Sequence, residues 1–308
     1  MVKEEIRLDE MELDEVNIMY KSMFGSLVPK QSYDKAYKSC KKNYEEMVKA
    51  EKDKIKPPSS MGRGWKYAKN MIYGWFVEDL FYELLKLNKN IKKINLTGND
   101  KEHKIIYDYE TKKSIIVGAK TTVPDFLITL SNNKKMYLEL KTAAKGIYSI
   151  KTGNVKQLYK TMGESQIFSC IVMLDLVNET YSIHSIEDFL NQHPFVNNRM
   201  EGQLCYDVPQ PTKTFSELVN EDLSKYIKAE LFNILAVKRF EYLNKVRDNK
   251  ELASIISSKI KIDDLYFEFR FKEQEFNNNV KKISSKIKNI DIVKTTWEKI
   301  FERIDNEK

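Results

Sequence analysis

Between residues 10 and 55 apolar residues recur at helical spacing among Glu, Lys, Met and Tyr, and the run ends in IKPPSSMGRGW, whose prolines and glycines stop helices. This predicts a helical arm followed by a hinge. In WKYAKNMIYGWFVEDLFYELLKL, the positions Ala68, Ile72, Trp75, Phe76, Leu80 and Leu84 return at threes and fours, the signature of a helix with a wide buried face. From Lys104 onward the period falls to two. KIIYDYE, SIIVG, PDFLITL and KKMYLEL read as the strands of a meander, the last two joined by the polar turn SNN. GNVKQLYKTMG reads as a short helix between glycines, and QIFSCIVMLDL as a central strand buried on both faces. Beyond Pro211 the pattern is helical almost to the end, apart from LYFEFRF, which alternates like a strand. The whole predicts an α/β protein: a central mixed sheet flanked by helices (60–205), a helical N-terminal arm (1–59) and a mainly helical C-terminal region (206–308) for DNA binding or dimerisation.

Composition narrows the function. A hydrophobic content of 42% can fill a core, and three scattered cysteines support neither a disulfide framework nor a zinc site. The N-terminus, MVKEEIRLDEMELDE, is acidic where a signal peptide is basic and then apolar. The longest apolar run is interrupted by Asp175 and is too short to span a bilayer, so no membrane association and a cytoplasmic location are expected. The net charge is +7, and the basic excess is concentrated: residues 111–160 hold ten lysines against only Asp125 and Glu139. Lysines gather a phosphate backbone, so Lys120, Lys145, Lys151 and Lys156 are expected to contact double-stranded DNA. His103, His184 and His193 lack metal-ligand spacing and are given no catalytic role.

The acidic pair sits where a sheet normally holds valine or isoleucine. Alternation puts Glu139 and Lys141 on one face of a strand and Leu138 and Leu140 on the other. For Asp125 to join that face, the hairpin must pair residues whose numbers sum to an even value, which requires a loop of odd length; SNN supplies one, and Asn132 or Asn133 can take the left-handed conformation it needs. Two carboxylates a few ångströms apart call for a cation, and an oxygen-lined acidic pocket suits Mg²⁺. Such an ion activates water and polarises a phosphoryl oxygen, while a lysine two residues on orients or deprotonates the attacking water. That chemistry is phosphodiester hydrolysis.

Pro124-Asp125 followed by Glu139-Leu140-Lys141 resembles the PD-(D/E)xK nuclease motif of type II restriction endonucleases and of several repair and recombination nucleases. The resemblance implies a restriction-endonuclease-like core, with Asp125 and Glu139 as metal ligands, the carbonyl of Leu140 as a further ligand and Lys141 as the catalytic lysine. It also implies a glutamate from the preceding helix, for which Glu78 is the best placed and Glu83 the weaker alternative, and a polar residue on the following helix, Gln157. The expected function is a Mg²⁺-dependent, sequence-specific double-stranded DNA endonuclease acting as a homodimer. Two alternatives stay open: a repair or recombination nuclease on the same core, and a DNA-binding protein without catalysis.

Overall fold

The computed structural model describes residues 7–58, 64–97, 104–117, 124–143, 148–165, 167–190, 195–197 and 202–227. In chain order the helices α1 (Leu13–Phe24), α2 (Lys30–Lys52) and α3 (Gly64–Leu85) precede the strands β1 (Ile91–Leu96), β2 (Lys104–Asp108), β3 (Lys113–Val117), β4 (Phe126–Leu130), β5 (Lys135–Ala143) and β6 (Ser149–Lys151). Then come α4 (Thr152–Ser165), β7 (Phe168–Asp175), β8 (Thr180–Ser185), α5 (Glu187–Leu190), β9 (Phe195–Asn197), β10 (Gln203–Asp207), β11 (Lys213–Thr214), α6 (Phe215–Leu218) and a 3₁₀ turn, Leu223–Tyr226. LYFEFRF and the helical stretch predicted after residue 227 lie outside the described residues.

The main sheet has six strands in the order β1-β4-β5-β7-β8-β11. Only β5 and β7 run parallel; each of the other neighbours is antiparallel. A parallel pair needs a long crossover, and α4 lies in the connection from β5 to β7. All eight residues of β7 are buried, as the nearly continuous apolar run predicts for a strand covered on both faces. The fold class read from the sequence, a mixed α/β core flanked by helices, is the one observed.

α3 is buried on most of its circumference because it has neighbours on two sides. On one, Tyr20 of α1 and Tyr33 of α2 bring their rings to 5.1 and 5.8 Å of Phe76. On the other, Phe81 lies 5.9 Å from Phe126, the first residue of β4. α3 is thus fixed between the N-terminal helices and the sheet.

Two features differ from the sequence expectation. IKKINL is a strand, β1, and it forms the sheet edge beside β4. Its lysines, Lys92 and Lys93, are exposed; edge strands tolerate and use such charges, which erases the alternation that would reveal them. The expected meander is also divided. β2 and β3 pair only with each other, as a two-stranded ribbon inserted between β1 and β4.

The chain forms two compact units. Among the described residues, the first comprises those up to 150, those of 157–186 and those of 207–227, and the second those of 151–156 and of 187–206. Within the second, β9 and β10 form an antiparallel pair and Phe189 packs against Tyr206 at 5.8 Å between ring centroids.

Candidate active site

The β4–β5 hairpin pairs Phe126 with Leu138 and Ile128 with Met136, so partner numbers sum to an even value. SNN is its loop: the Leu130 amide donates to the Lys134 carbonyl at 2.8 Å, and Asn133 takes the left-handed conformation with φ of 63°. Continuing the register by one residue puts Asp125 opposite Glu139, on the face of Lys141. The other face, with Phe126, Ile128, Leu138 and Leu140, is buried core.

The ladder stops just short of this site. Proline has no N–H, so Pro124 cannot complete the pair that Leu140 would otherwise form. The Pro124 carbonyl instead accepts the Thr97 hydroxyl, and the Asp125 carbonyl accepts the Thr97 amide at 3.0 Å, tying the site to the end of β1. The Leu140 amide then finds the Asp125 side chain, whose Oδ2 accepts it at 2.6 Å. Because N–H and C=O of one strand residue point to the same side, the Leu140 carbonyl faces the same gap.

Glu139 and Lys141 form an ion pair, with the lysine side chain 32% and the glutamate 18% exposed. Burial pulls the pKa of Lys141 down, but the charges of Glu139, Asp125 and Glu78 together outweigh it and hold the ammonium above its ordinary range. Of the three acids on α3, Glu78 is the one whose charge is felt by Lys141. It lies one turn before Phe81, which touches the start of β4, and its charge is also felt by the buried Tyr20 hydroxyl. Glu83 is engaged elsewhere, accepting from Ser32 of α2 at 2.8 Å and from Lys86 at 2.9 Å. Asp79 faces the α2 side near Cys40 and Lys35, and its burial pushes its carboxyl up to about 6.

The chain leaving Lys141 is held at two points. Ala143 accepts the Leu176 amide at 3.0 Å, and the Tyr148 hydroxyl donates to Asp175 at 2.6 Å. Asp175 is fully buried and also accepts the Val177 and Asn178 amides at 2.9 and 3.1 Å, closing the β7–β8 turn. Burial and this bond raise the Tyr148 hydroxyl to about 12. Sequence reasoning found neither this anchor nor Thr97. Their partners are distant in sequence, and the only local hint is the Asp-x-x-Asn spacing after an apolar strand.

Lys120 and Lys145 lie outside the described residues, as does the side chain of Lys156 on α4. Lys151 ends β6 and is partly exposed, and Gln157 on α4 donates to Thr161 at 3.5 Å. His184, on β8, lies 2.7 Å from the Ser182 hydroxyl. Among the described residues no group of three or more His, Cys, Asp and Glu side chains is arranged to hold a metal ion. Nor is any helix among them long and apolar enough to cross a membrane.

No protein-family model matches the chain, and no curated protein does. Among solved structures, the chain is similar to a Holliday junction resolvase, Hjc, from the archaeal hyperthermophile Archaeoglobus fulgidus. That likeness has 12% identity and a TM-score of 0.29, covering 49% of this chain and 98% of the resolvase.

Proposed function

We propose that the chain is a Mg²⁺-dependent endonuclease of the PD-(D/E)xK type that hydrolyses phosphodiester bonds of double-stranded DNA. One observation carries the reading: Asp125, Glu139 and Lys141 converge on one sheet face at the point where Pro124 ends the ladder. A half-buried acidic pair with a lysine has no packing purpose there, since the core is filled from the opposite face.

The residues fit a hard divalent cation. The Asp125 carboxylate, which accepts the Leu140 amide at Oδ2, and that of Glu139 would supply oxygen ligands, and the Leu140 carbonyl faces a gap in which Pro124 has no N–H. With only two carboxylates and a carbonyl from the protein, the remaining positions would be filled by water and phosphate, as Mg²⁺ favours. When bound, the ion would supply Lewis-acid stabilisation of charge on the phosphoryl oxygens. Lys141 neutralises the carboxylates in the metal-free protein and, released from Glu139, orients the attacking water. Glu78 adds negative charge behind Lys141 and fixes the direction of its ammonium.

Within this class the chain is read as a sequence-specific restriction enzyme that acts as a homodimer, because α1 and α2 enlarge the core beyond what hydrolysis needs and a duplex cut on both strands calls for two centres. The test is digestion of phage DNA, plasmid DNA and a synthetic four-way junction in Mg²⁺. Discrete bands are expected. A smear, or cutting confined to the junction, would refute the restriction reading, and no cutting of any substrate would refute the nuclease.

A further inference from the structure

We infer that the β2–β3 ribbon, together with the C-terminal end of α2, is a docking surface for the duplex flanking the cleavage site; the inference rests on the nuclease reading above. The ribbon leaves the main sheet at the catalytic end. β1 finishes at Leu96, opposite Phe126, and Thr97 is bonded to Pro124 and Asp125. Seven residue steps join Thr97 to Lys104, and eight join Val117 to Asp125, so both roots of the ribbon lie within about 30 Å of Asp125 whatever path the chain takes. At roughly 3.4 Å per base pair, that is no more than about nine base pairs from the scissile phosphate.

The ribbon is built as a rigid, basic face. Its inner side is anchored: Ile105 is buried, and the Tyr107 ring lies 6.1 Å from that of Trp65. Its turn is clamped to the end of α2, where the Lys56 amide donates to the Lys112 carbonyl at 2.9 Å and the Ser114 hydroxyl to the Lys56 carbonyl at 2.7 Å. The Asp108 carboxylate is consumed within the turn by the amides of Glu110 and Thr111, both at 3.0 Å. On the outer side Lys104, Lys112 and Lys113 are exposed, next to Lys49 and Lys52 of α2 and Lys54 and Lys56 just after it, against the acids Glu46, Glu51, Asp53, Asp108 and Glu110, so that seven lysines face five carboxylates.

Between these lysines the outer face carries Ile106 and Ile115, directly paired across the strands and 41% and 62% exposed. An apolar pair rimmed by cations marks a contact surface rather than a solvated one. A polyanion whose sugars are apolar matches it, since lysines meet phosphates while the isoleucines lie against the deoxyribose wall of a groove.

The test compares the wild type with the double variant Lys56→Ala/Lys113→Ala in binding of a mixed-sequence duplex in Ca²⁺ over a salt series. The variant should bind about tenfold more weakly, with a log–log salt slope shallower by about 1.8, or 0.9 per lost phosphate contact. The Lys56→Arg/Lys113→Arg variant should retain the wild-type slope, which separates lost charge from a damaged fold. An unchanged slope in the alanine variant overturns the proposal. So does an Ile106→Ser/Ile115→Ser variant that changes the sedimenting species without changing DNA affinity, because the ribbon would then be docking a second copy of the chain. Cleavage in Mg²⁺ is scored separately. A wild type that never cuts yet shows the ribbon-dependent slope sinks the nuclease reading alone, whereas a cutting enzyme with an unchanged slope sinks the ribbon alone.

Discussion

The Asp125 carboxylate accepts the Leu140 main-chain N–H at 2.6 Å, across the gap that Pro124 opens in the β4–β5 ladder. One side chain therefore completes the sheet and places a carboxylate on the face of Glu139 and Lys141. The two roles can be separated. Asp125→Asn keeps an acceptor for the amide and removes the charge, so it should melt near the wild-type temperature and lose at least about 10³-fold in cleavage rate. Asp125→Ala should lose the same activity and a further 1–2 kcal/mol or so of stability, since the buried amide is left unpaired. Thermal melts and single-turnover digestion read both. Near wild-type cutting by either variant would remove Asp125 from the reaction.

Lys141 and Glu78 should differ in severity. Lys141→Ala is expected to abolish turnover while leaving duplex affinity in Ca²⁺ within about twofold, because the lysine is paired to Glu139 rather than spread on the surface. Glu78→Gln should lower the rate by about tenfold, less than loss of Asp125, because its charge is the smallest of the three that act on Lys141. A Lys141 variant that cuts normally and binds poorly would reverse the assignment.

Asp79 gives a prediction in the opposite direction to most carboxylates. Its folded pKa is raised to about 6 from an ordinary 3.8, so the folded state holds a proton that the unfolded chain releases. Stability therefore falls as pH rises from about 4 to 6, and the penalty is complete above that window. Asp79→Asn should raise the stability by about 1–2 kcal/mol at pH 8 and change it little at pH 4, allowing for the group's partial exposure. Urea melts at the two pH values check this, and an equal effect at both would contradict it.

Glu221 behaves in the usual sense. Burial alone would raise its pKa, but Lys213, Lys225, Tyr181 and Tyr226 all donate to it and hold the carboxyl at about 2 instead of 4.5. The folded pKa is depressed, so its contribution is present above about 4.5 and is lost as pH falls from there towards 2. Glu221→Gln should remove about 2–3 kcal/mol at pH 7 and flatten the acid limb of the stability profile. An unaltered acid limb in the variant would show that the acid sensitivity comes from other groups.

The parts of the site that were legible in the sequence are those that local rules decide. Alternation fixed the faces of Glu139 and Lys141, and the odd SNN loop fixed the hairpin parity, because both depend on residues within about fifteen positions of each other. The eight-residue apolar run of β7 declared its central place for the same reason. What could not be read was decided by contacts between distant segments. Strands of the same period can pair in the main sheet or apart from it, so β2 and β3 gave no sign of leaving it. Glu78, Asp79 and Glu83 share one helix, and only the neighbours on α2 and the sheet distinguish the acid whose charge Lys141 feels from the two bonded or buried elsewhere. Glu221 lies in a stretch that reads as helical, and nothing local marks it as the hub of a buried network.

That network also bears on the order in which the protein can be finished during synthesis. The Glu221 carbonyl accepts the side chains of Asn88 and Asn90 at 3.0 and 3.2 Å, and its carboxylate takes Tyr181 from β8. Every residue of the candidate centre has been synthesised once β7 is made, yet the Asn90 amide and the Tyr181 hydroxyl, which belong to earlier segments, take their partner from residue 221, and the Asn88 amide takes its partners from residues 218 and 221. The residues of the centre are thus all made before the one that closes the far sheet edge, and a chain truncated after β8 would carry them with that edge still wet and open.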